Sequence, residues 1–358
     1  MRSEAGNRNR RLLRGSTRAG ASLVVLLTSC AWCADLAIPK EADAGDDGYP
    51  QTRVTFSNGV VGMPAIMYAQ PLHFRPLTLD LYLPPQATAQ HPLPLIIYVH
   101  GGAWVLGTPR GQTVIGGWPD ILAALATRGY VVAGVSYRLD GEAHFPAAIQ
   151  DVKTAIRFLR ANAVRYGIDP KQAAIWGPSA GGQLAALAAV SCGVAAFEPP
   201  PTEAVGASSS ASKGSEKPQL APAVSDCVQG GVSWFGVHDF ATVPVPEGQT
   251  GPAPYLGCST AQCSRETLAF ASPVTYVDPS DPPILLIHGL ADKLVAVSQT
   301  REFEERLRAA HVPVQMLLIP DVDHGFIGKT DAISRAATEQ ALSRTWAFFD
   351  QLFARKGP

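Results

Sequence analysis

Charge is scarce in this 358-residue chain: 16% of its residues are charged, and 29 basic side chains against 30 acidic ones leave a formal net charge of −1. With no basic surplus there is no electrostatic footprint for a phosphate backbone, which excludes nucleic acid as a partner. Long apolar runs are missing too. Beyond the N-terminus no stretch of 18 uncharged apolar residues occurs, so a multispan membrane protein is excluded. The 33 Gly and 30 Pro are scattered among apolar runs, a pattern that fits neither a coiled coil nor a collagen. Hydrophobic residues make up 46% of the whole chain. A chain of that length can bury about three quarters of its surface, and the expected class is a well-packed, enzyme-sized globular protein.

The first 20 residues hold Arg2, Arg8, Arg10, Arg11, Arg14 and Arg18 against a single acid, Glu4, and Leu23 to Leu27 follow as a short apolar run. This reads as a secretory signal over residues 1–31, with Ser29 and Ala31 as the small residues before the cut. A second reading stays open. Leu27-Thr-Ser-Cys30 fits a lipoprotein signal, in which a lipidated Cys30 would be the only membrane attachment. Either way the chain is expected to be exported to a periplasmic or extracellular space, and the remainder is acidic. Residues 32–53 then read as a flexible lead-in to a domain over 54–358.

With Cys30 and Cys33 assigned to the signal region, four cysteines remain, Cys192, Cys227, Cys258 and Cys263, an even number in a chain bound for an oxidising space. Four cysteines allow three pairings. Cys192 with Cys227 and Cys258 with Cys263 would each close a local loop, worth about 4 and about 2 kcal/mol of loop entropy. Free buried thiols are the alternative. No Cys-x-x-Cys or His-x-x-x-His spacing accompanies these four, so no metal site is expected.

Leu77 to Leu83 alternates apolar and polar as a half-exposed strand would, whereas Leu95–Val99 and Tyr130–Val135 are continuous apolar runs, as strands covered on both faces would be. Helical spacing appears over residues 119–128 and over Ala147–Tyr166. The alternation continues with strands at 173–176, 228–234, 284–287 and 314–319, and with helices from Ala180, near 298–310 and over about 332–353. A doubly wound α/β domain with a mostly parallel sheet follows. Two stretches interrupt it. Residues 198–225 carry five Pro and six Ser with no periodicity and read as a low-complexity surface insertion. Residues 244–257 carry four Pro with Tyr255 and Leu256 and are the better candidate for a wall of a substrate site.

Gly177-Pro-Ser-Ala-Gly181 follows an expected strand and opens an expected helix, the context that makes Gly-x-Ser-x-Gly a nucleophile elbow. Ser179 is therefore the candidate nucleophile. The flanking glycines let its hydroxyl sit on a strained turn, where helix N–H groups favour developing negative charge. Such a hydroxyl needs a base, a group to orient the base, and donors for an oxyanion. The strand ending at Val99 runs into His100-Gly101-Gly102-Ala103, and the N–H groups of Gly101, Gly102 and Ala103, with that of Ala180, form the candidate oxyanion hole. Asp292 and His324 each follow the end of a later strand, completing the order Ser, Asp, His.

The other histidines have plainer readings. His73, His91 and His311 fall in turns or at a helix end and read as surface residues, while His100 and His288 end strands beside glycines and would shape their loops. His238 with Asp239 is the competitor for the triad, although Asp292 is preferred. Asp321 and Asp323 would stabilise the turn that carries His324. Trp104, Trp234, Phe235 and Tyr255 are candidates for the substrate pocket, with core packing an equally good account of each.

His100-Gly-Gly-Ala-Trp104, Tyr137-Arg-Leu139, Phe145-Pro-Ala-Ala-Ile-Gln-Asp151, Gly177-Pro-Ser-Ala-Gly-Gly182 and His288-Gly-Leu-Ala-Asp292 together resemble the α/β-hydrolase family of carboxylesterases. The resemblance is narrower to the branch of bacterial feruloyl and acetyl-xylan esterases and hormone-sensitive-lipase-like esterases, over roughly residues 77–353. It implies cofactor-free hydrolysis of carboxylic esters, on small molecules or polysaccharide, through an acyl-enzyme, with Arg138 and Asp151 in structural roles. Pro178 stands where that family often has a polar residue, and Gln183 where the branch often has His. An amide hydrolase of arylformamidase or peptidase type would use the same triad and is the alternative reading.

Overall fold

The structure, a computed structural model, describes residues 52–71, 73–198, 224–243, 254–258 and 263–354. The expected signal, most of the lead-in, and residues 199–223 of the insertion lie outside them, as do 244–253 of the second irregular stretch. Nine strands form one sheet: β1 (Val54–Thr55), β2 (Val61–Ala69), β3 (Leu77–Leu83), β4 (Leu93–Val99), β5 (Val131–Val135), β6 (Ile168–Pro178), β7 (Gly230–Trp234), β8 (Ile284–Gly289) and β9 (Val314–Ile319). Their order is β1-β2-β3-β5-β4-β6-β7-β8-β9. The pairings from β5 through β9 are parallel, and β1, β2 and β3 add on antiparallel. This is an α/β-hydrolase fold.

Period-two alternation decides which side chains go where. In β4, Leu95, Ile97 and Val99 join one buried cluster while Ile96 and Tyr98 join the other. Helices α1 (Trp118–Ala126) and α7 (Asp331–Leu352) cover the face of Tyr98, whereas α2 (Ala147–Ala161), α4 (Ala180–Val190) and α6 (Ser298–Ala309) cover the face of Ile97. Local chemistry sets the helix starts. Pro119 opens α1, where a missing N–H costs nothing, and the Thr330 hydroxyl accepts from Ile333 N to cap α7. Among the described residues no helix is long and apolar enough to cross a membrane.

Three differences from the sequence expectation have physical reasons. The single helix expected over Ala147–Tyr166 breaks at Asn162 into α2 and the short α3 (Ala163–Tyr166), because the Asn162 amide donates to Phe158 O at 2.9 Å and leaves helical geometry. Strand β3 is not half-exposed. Its Asp80 is buried, accepting from Arg110 and, at 2.8 Å, from Ala65 N. Strand β2 was not expected, since Gly62 and Pro64 lie in it. A register shift between Met63 and Ile66 accommodates the proline. The short helix α5 (Arg265–Ala271), capped by the Ser264 hydroxyl, is also additional.

Both expected cysteine pairings are present as disulfides, Cys192–Cys227 and Cys258–Cys263.

Candidate active site

Five adjacent parallel strands, β4, β6, β7, β8 and β9, end on one edge of the sheet, and the loops beyond their C-terminal ends bring the singled-out residues together, as open α/β sheets generally place their sites. Strand β6 leads to Ser179, the residue before α4, which has φ 54° and ψ −121°. No regular element uses that backbone conformation, and it exposes the hydroxyl on a tight turn. The turn can be this tight only because its neighbours lack side chains. A Cβ on Gly177 or Gly181 would drive into the Val99 carbonyl.

Ser179 Oγ lies 2.9 Å from His324 Nε2, and His324 Nδ1 lies 2.8 Å from Asp292 Oδ2. Since an ionised carboxylate can only accept, Nδ1 carries the proton and Nε2 is left as the acceptor facing the serine. The Asp292 side chain is fully buried. Burial alone would raise its pKa, but hydrogen bonds from His288 and His324, and from Val295 N, hold it well below the ordinary carboxylate range. The carboxylate therefore stays ionised beside the imidazole.

The loop after β4 faces the elbow. Gly102 has φ 119°, and Ala103 and Trp104 have φ 53° and 61°, so consecutive N–H groups turn toward one side. Among the described residues, the N–H groups of Gly102, Ala103 and Ala180 make no hydrogen bond to protein. Gly101 keeps the loop close, since a Cβ there would come within 2.8 Å of Pro178 O. Three free N–H groups around a serine hydroxyl can receive negative charge on an oxygen bonded to the attacked carbon.

A cavity of about 780 Å³ opens in front of Ser179 and His324. Tyr98, Trp118, Trp234, Phe235 and Phe326 make it aromatic at depth, and Leu106, Leu294 and Ile327 ring its mouth, 62%, 63% and 50% exposed. Trp234 and Phe235 are thus in the cavity wall. Trp104 and Tyr255, expected in the same wall, instead stack on each other at 4.4 Å beside Phe240 in the core. The indole of Trp104 is turned inward by a 3.0 Å bond to Gln183 Oε1, which sequence patterning could not reveal. Tyr98, Trp118, Phe326 and the apolar rim were missed, because strand and helix core residues look the same whether or not a cavity lies beside them.

The remaining histidines and acids fall elsewhere. His238 is buried, stacks on Phe303 at 4.5 Å and contacts Ser233 Oγ at 2.9 Å; burial, then the neighbouring His288, lower its pKa to about 3. Asp239 accepts from Ala241 N within its own turn. Neither meets Ser179. Asp323 accepts from the N–H groups of Lys293 and His324 and so fixes the turn that carries His324. His100 contacts Gly101 O through Nδ1 at 2.7 Å, and burial lowers its pKa to about 4. His73, His91 and His311 are exposed. Arg138 pairs with Asp151 at 2.7 Å, away from the cavity. Among the described residues, no group of three or more His, Cys, Asp or Glu is placed to hold a metal ion.

The chain is 30% identical over 282 residues to the probable carboxylic ester hydrolase LipM of Mycobacterium tuberculosis, covering 75% of this chain and 58% of LipM. It is 33% identical over 266 residues to the esterase LipC of the same organism, covering 73% and 59%. It therefore spans less than two thirds of the length of these curated relatives. Among solved structures, a truncated carbohydrate esterase from gut microbiota superposes with a TM-score of 0.64 at 27% identity, over 86% of this chain and all of that one. A bifunctional GH43-CE protein of Bacteroides eggerthii gives 0.63 at 30% identity, over 81% of this chain and 38% of that one. The family BD-FAE matches residues 79–307, a span that takes in the loop after β4, the elbow and Asp292 and stops before His324, and on that match the chain belongs to the BD-FAE family.

Proposed function

We propose that this chain is an exported serine hydrolase that cleaves carboxylic esters through an acyl-enzyme. The observation that carries the reading is the unbroken run of hydrogen bonds from Ser179 Oγ through His324 to Asp292, at the mouth of an apolar cavity. Ser179 Oγ attacks the ester carbonyl carbon while His324 Nε2 takes its proton, and Asp292 stabilises the resulting imidazolium. The carbonyl oxygen, now negative, is received by the N–H groups of Gly102, Ala103 and Ala180. When the tetrahedral intermediate collapses, the C–O bond to the alcohol breaks and His324 protonates the departing oxygen. Water, deprotonated by the same imidazole, then attacks the acyl-serine and releases the acid. Every step uses side chains, backbone and water, with no cofactor.

Family membership and the esterase names of LipM and LipC support ester cleavage. The carbohydrate-esterase name of a structural neighbour supports esters carried on sugars, small or polymeric. Two disulfides support an oxidising compartment, and the Arg-rich start supports export, either by a cut after Ala31 or, in the second reading, as a lipoprotein with Cys30 as the lipidated residue.

The test is a panel of p-nitrophenyl esters of increasing acyl length, run beside a feruloyl ester and an aryl formamide. Esters are expected to be cleaved, and Ser179→Ala is expected to lower kcat by about four to six orders of magnitude in a folded protein. Retained activity in that variant would overturn the assignment of Ser179. Faster cleavage of the formamide than of every ester would move the reading to amide hydrolysis.

A further inference from the structure

We infer that His288 is a positioning residue for the acid of the triad: a second, fully buried imidazole whose N–H fixes the Asp292 oxygen that orients His324. The inference rests on the esterase reading above. His288 lies in β8 and is wholly inaccessible. Its Nε2 lies 2.9 Å from Val295 O and 3.2 Å from Asp292 Oδ2, and its Nδ1 lies 2.7 Å from the Thr300 hydroxyl in the first turn of α6.

The tautomer follows from the partners. Val295 O and an ionised Asp292 have no proton to give, so Nε2 carries the hydrogen and shares it between them. In the neutral ring, Nδ1 then accepts from Thr300. Asp292 is thereby fully subscribed. Oδ1 takes the N–H groups of Leu294 and Val295 at 2.9 and 2.8 Å, and Oδ2 takes those of His324 and His288. Without His288, Oδ2 would be held only by the ring it is meant to orient, and small angular errors at an orienting group cost rate.

The second imidazole also acts on charge. An N–H donated to Oδ2 draws on its negative charge, so Asp292 stabilises the His324 imidazolium less than a carboxylate with His324 as its sole Oδ2 donor would. Removing that donor should therefore move the acid limb of activity to higher pH. The other ionisable groups around this pair are few. Asp323 faces Asp292 and accepts from His324 N, Lys293 lies 3.6 Å from Asp323 at the surface, and His238 approaches His288 from the loop after β7. All of them stay in place in the variants below.

His288→Leu is expected to lower kcat about 10- to 100-fold with KM within about threefold, and to raise the midpoint of the acid limb of kcat/KM by roughly half a pH unit. His288→Gln presents an amide N–H where Nε2–H stood and is expected to restore most of the rate and the original midpoint. Loss of stability in both variants, with kcat per folded molecule and the pH profile unchanged, would reduce His288 to packing and overturn the inference. If the leucine variant does not fold, the wild-type tautomer decides. In a 15N-histidine spectrum, with His288 assigned by the shift Thr300→Val causes, an Nε2–H ring is expected, and an Nδ1–H ring overturns the proposal. Activity persisting in Ser179→Ala would instead sink the esterase mechanism, while the tautomer measurement still judged His288.

Discussion

Trp104 Nε1 donates to Gln183 Oε1 at 3.0 Å, and the same amide donates to Ala271 O at 3.0 Å. One buried glutamine therefore ties the loop carrying Gly102 and Ala103 to helix α4 behind the elbow and to the end of α5. Gln183→Leu keeps the volume and leaves Trp104 Nε1 and Ala271 O unsatisfied, each a loss of about 1–3 kcal/mol. Stability in urea should fall by about 2 kcal/mol or more. The loosened loop should also cost kcat about tenfold, with a smaller change in KM. An unchanged kcat at reduced stability would show that the loop keeps its place without this tie.

A second prediction concerns pH. The base acts only as a neutral imidazole, so kcat/KM should fall on the acid side and be level above that limb until other groups intervene. Asp292, held ionised well below the ordinary carboxylate range, adds no step above it. His100 and His238, pushed down by burial to about 4 and about 3, stay neutral between pH 5 and pH 8 and add none either. Asp292→Asn should lose several orders of magnitude at neutral pH through the wrong tautomer of His324. A flat profile from pH 5 to pH 8 in stable enzyme with rate-limiting chemistry would remove the histidine base.

Much of this site could be read from short motifs because each couples a chain reversal to a specific chemical demand. Gly177 and Gly181 flank Ser179 because the Val99 carbonyl leaves no room for a Cβ. Asp292 and His324 each follow a strand end, so their meeting at 2.8 Å follows from parallel strands sharing an edge. Contacts set by tertiary packing were not legible. The stacking of Trp104 on Tyr255 joins residues 151 positions apart in one aromatic cluster, and the partnership of His288 with Thr300 needs α6 docked. Strand β2 was hidden by Pro64, since a proline within a strand depends on a bulge, here in β2 itself, that shows only once the strand is paired with β3.

The exposed leucines at the cavity mouth give a prediction about selectivity. Leu106 and Leu294 are 62% and 63% exposed, and both line the cavity, so they gain burial only when something apolar enters. Burying one such side chain is worth about 1.5 kcal/mol or more. Leu294→Ser should therefore raise KM about tenfold for a long-acyl p-nitrophenyl ester while leaving acetate nearly unchanged and kcat within about twofold. An equal effect on both esters would place the long acyl chain away from this rim.

The last prediction concerns the far end of α4. Lys153, wholly buried in α2, donates to Ser191 O and to Asp226 Oδ2, each at 2.5 Å, and Arg157 also approaches Asp226 at 3.2 Å. Ser191 precedes Cys192 and Asp226 precedes Cys227, so one ammonium and one disulfide hold the same two segments together. Burial alone would raise the Asp226 carboxyl, but the Lys153 ammonium, and then Arg157, hold it below its ordinary value. A carboxyl depressed in the folded state contributes stability above its unfolded pKa and loses it as pH falls through the folded one. Lys153→Met should thus cost about 3–5 kcal/mol at neutral pH and move acid unfolding to higher pH, as followed by circular dichroism. Ser191 follows the 11-residue helix α4 that Ser179 precedes, about 18 Å from Ser179 at 1.5 Å per residue, so kcat per folded molecule should stay within about twofold. Combined with Cys192→Ala/Cys227→Ala, the losses should be non-additive, because each change frees the segments that the other still holds; strict additivity would show that the ion pair and the disulfide hold them independently.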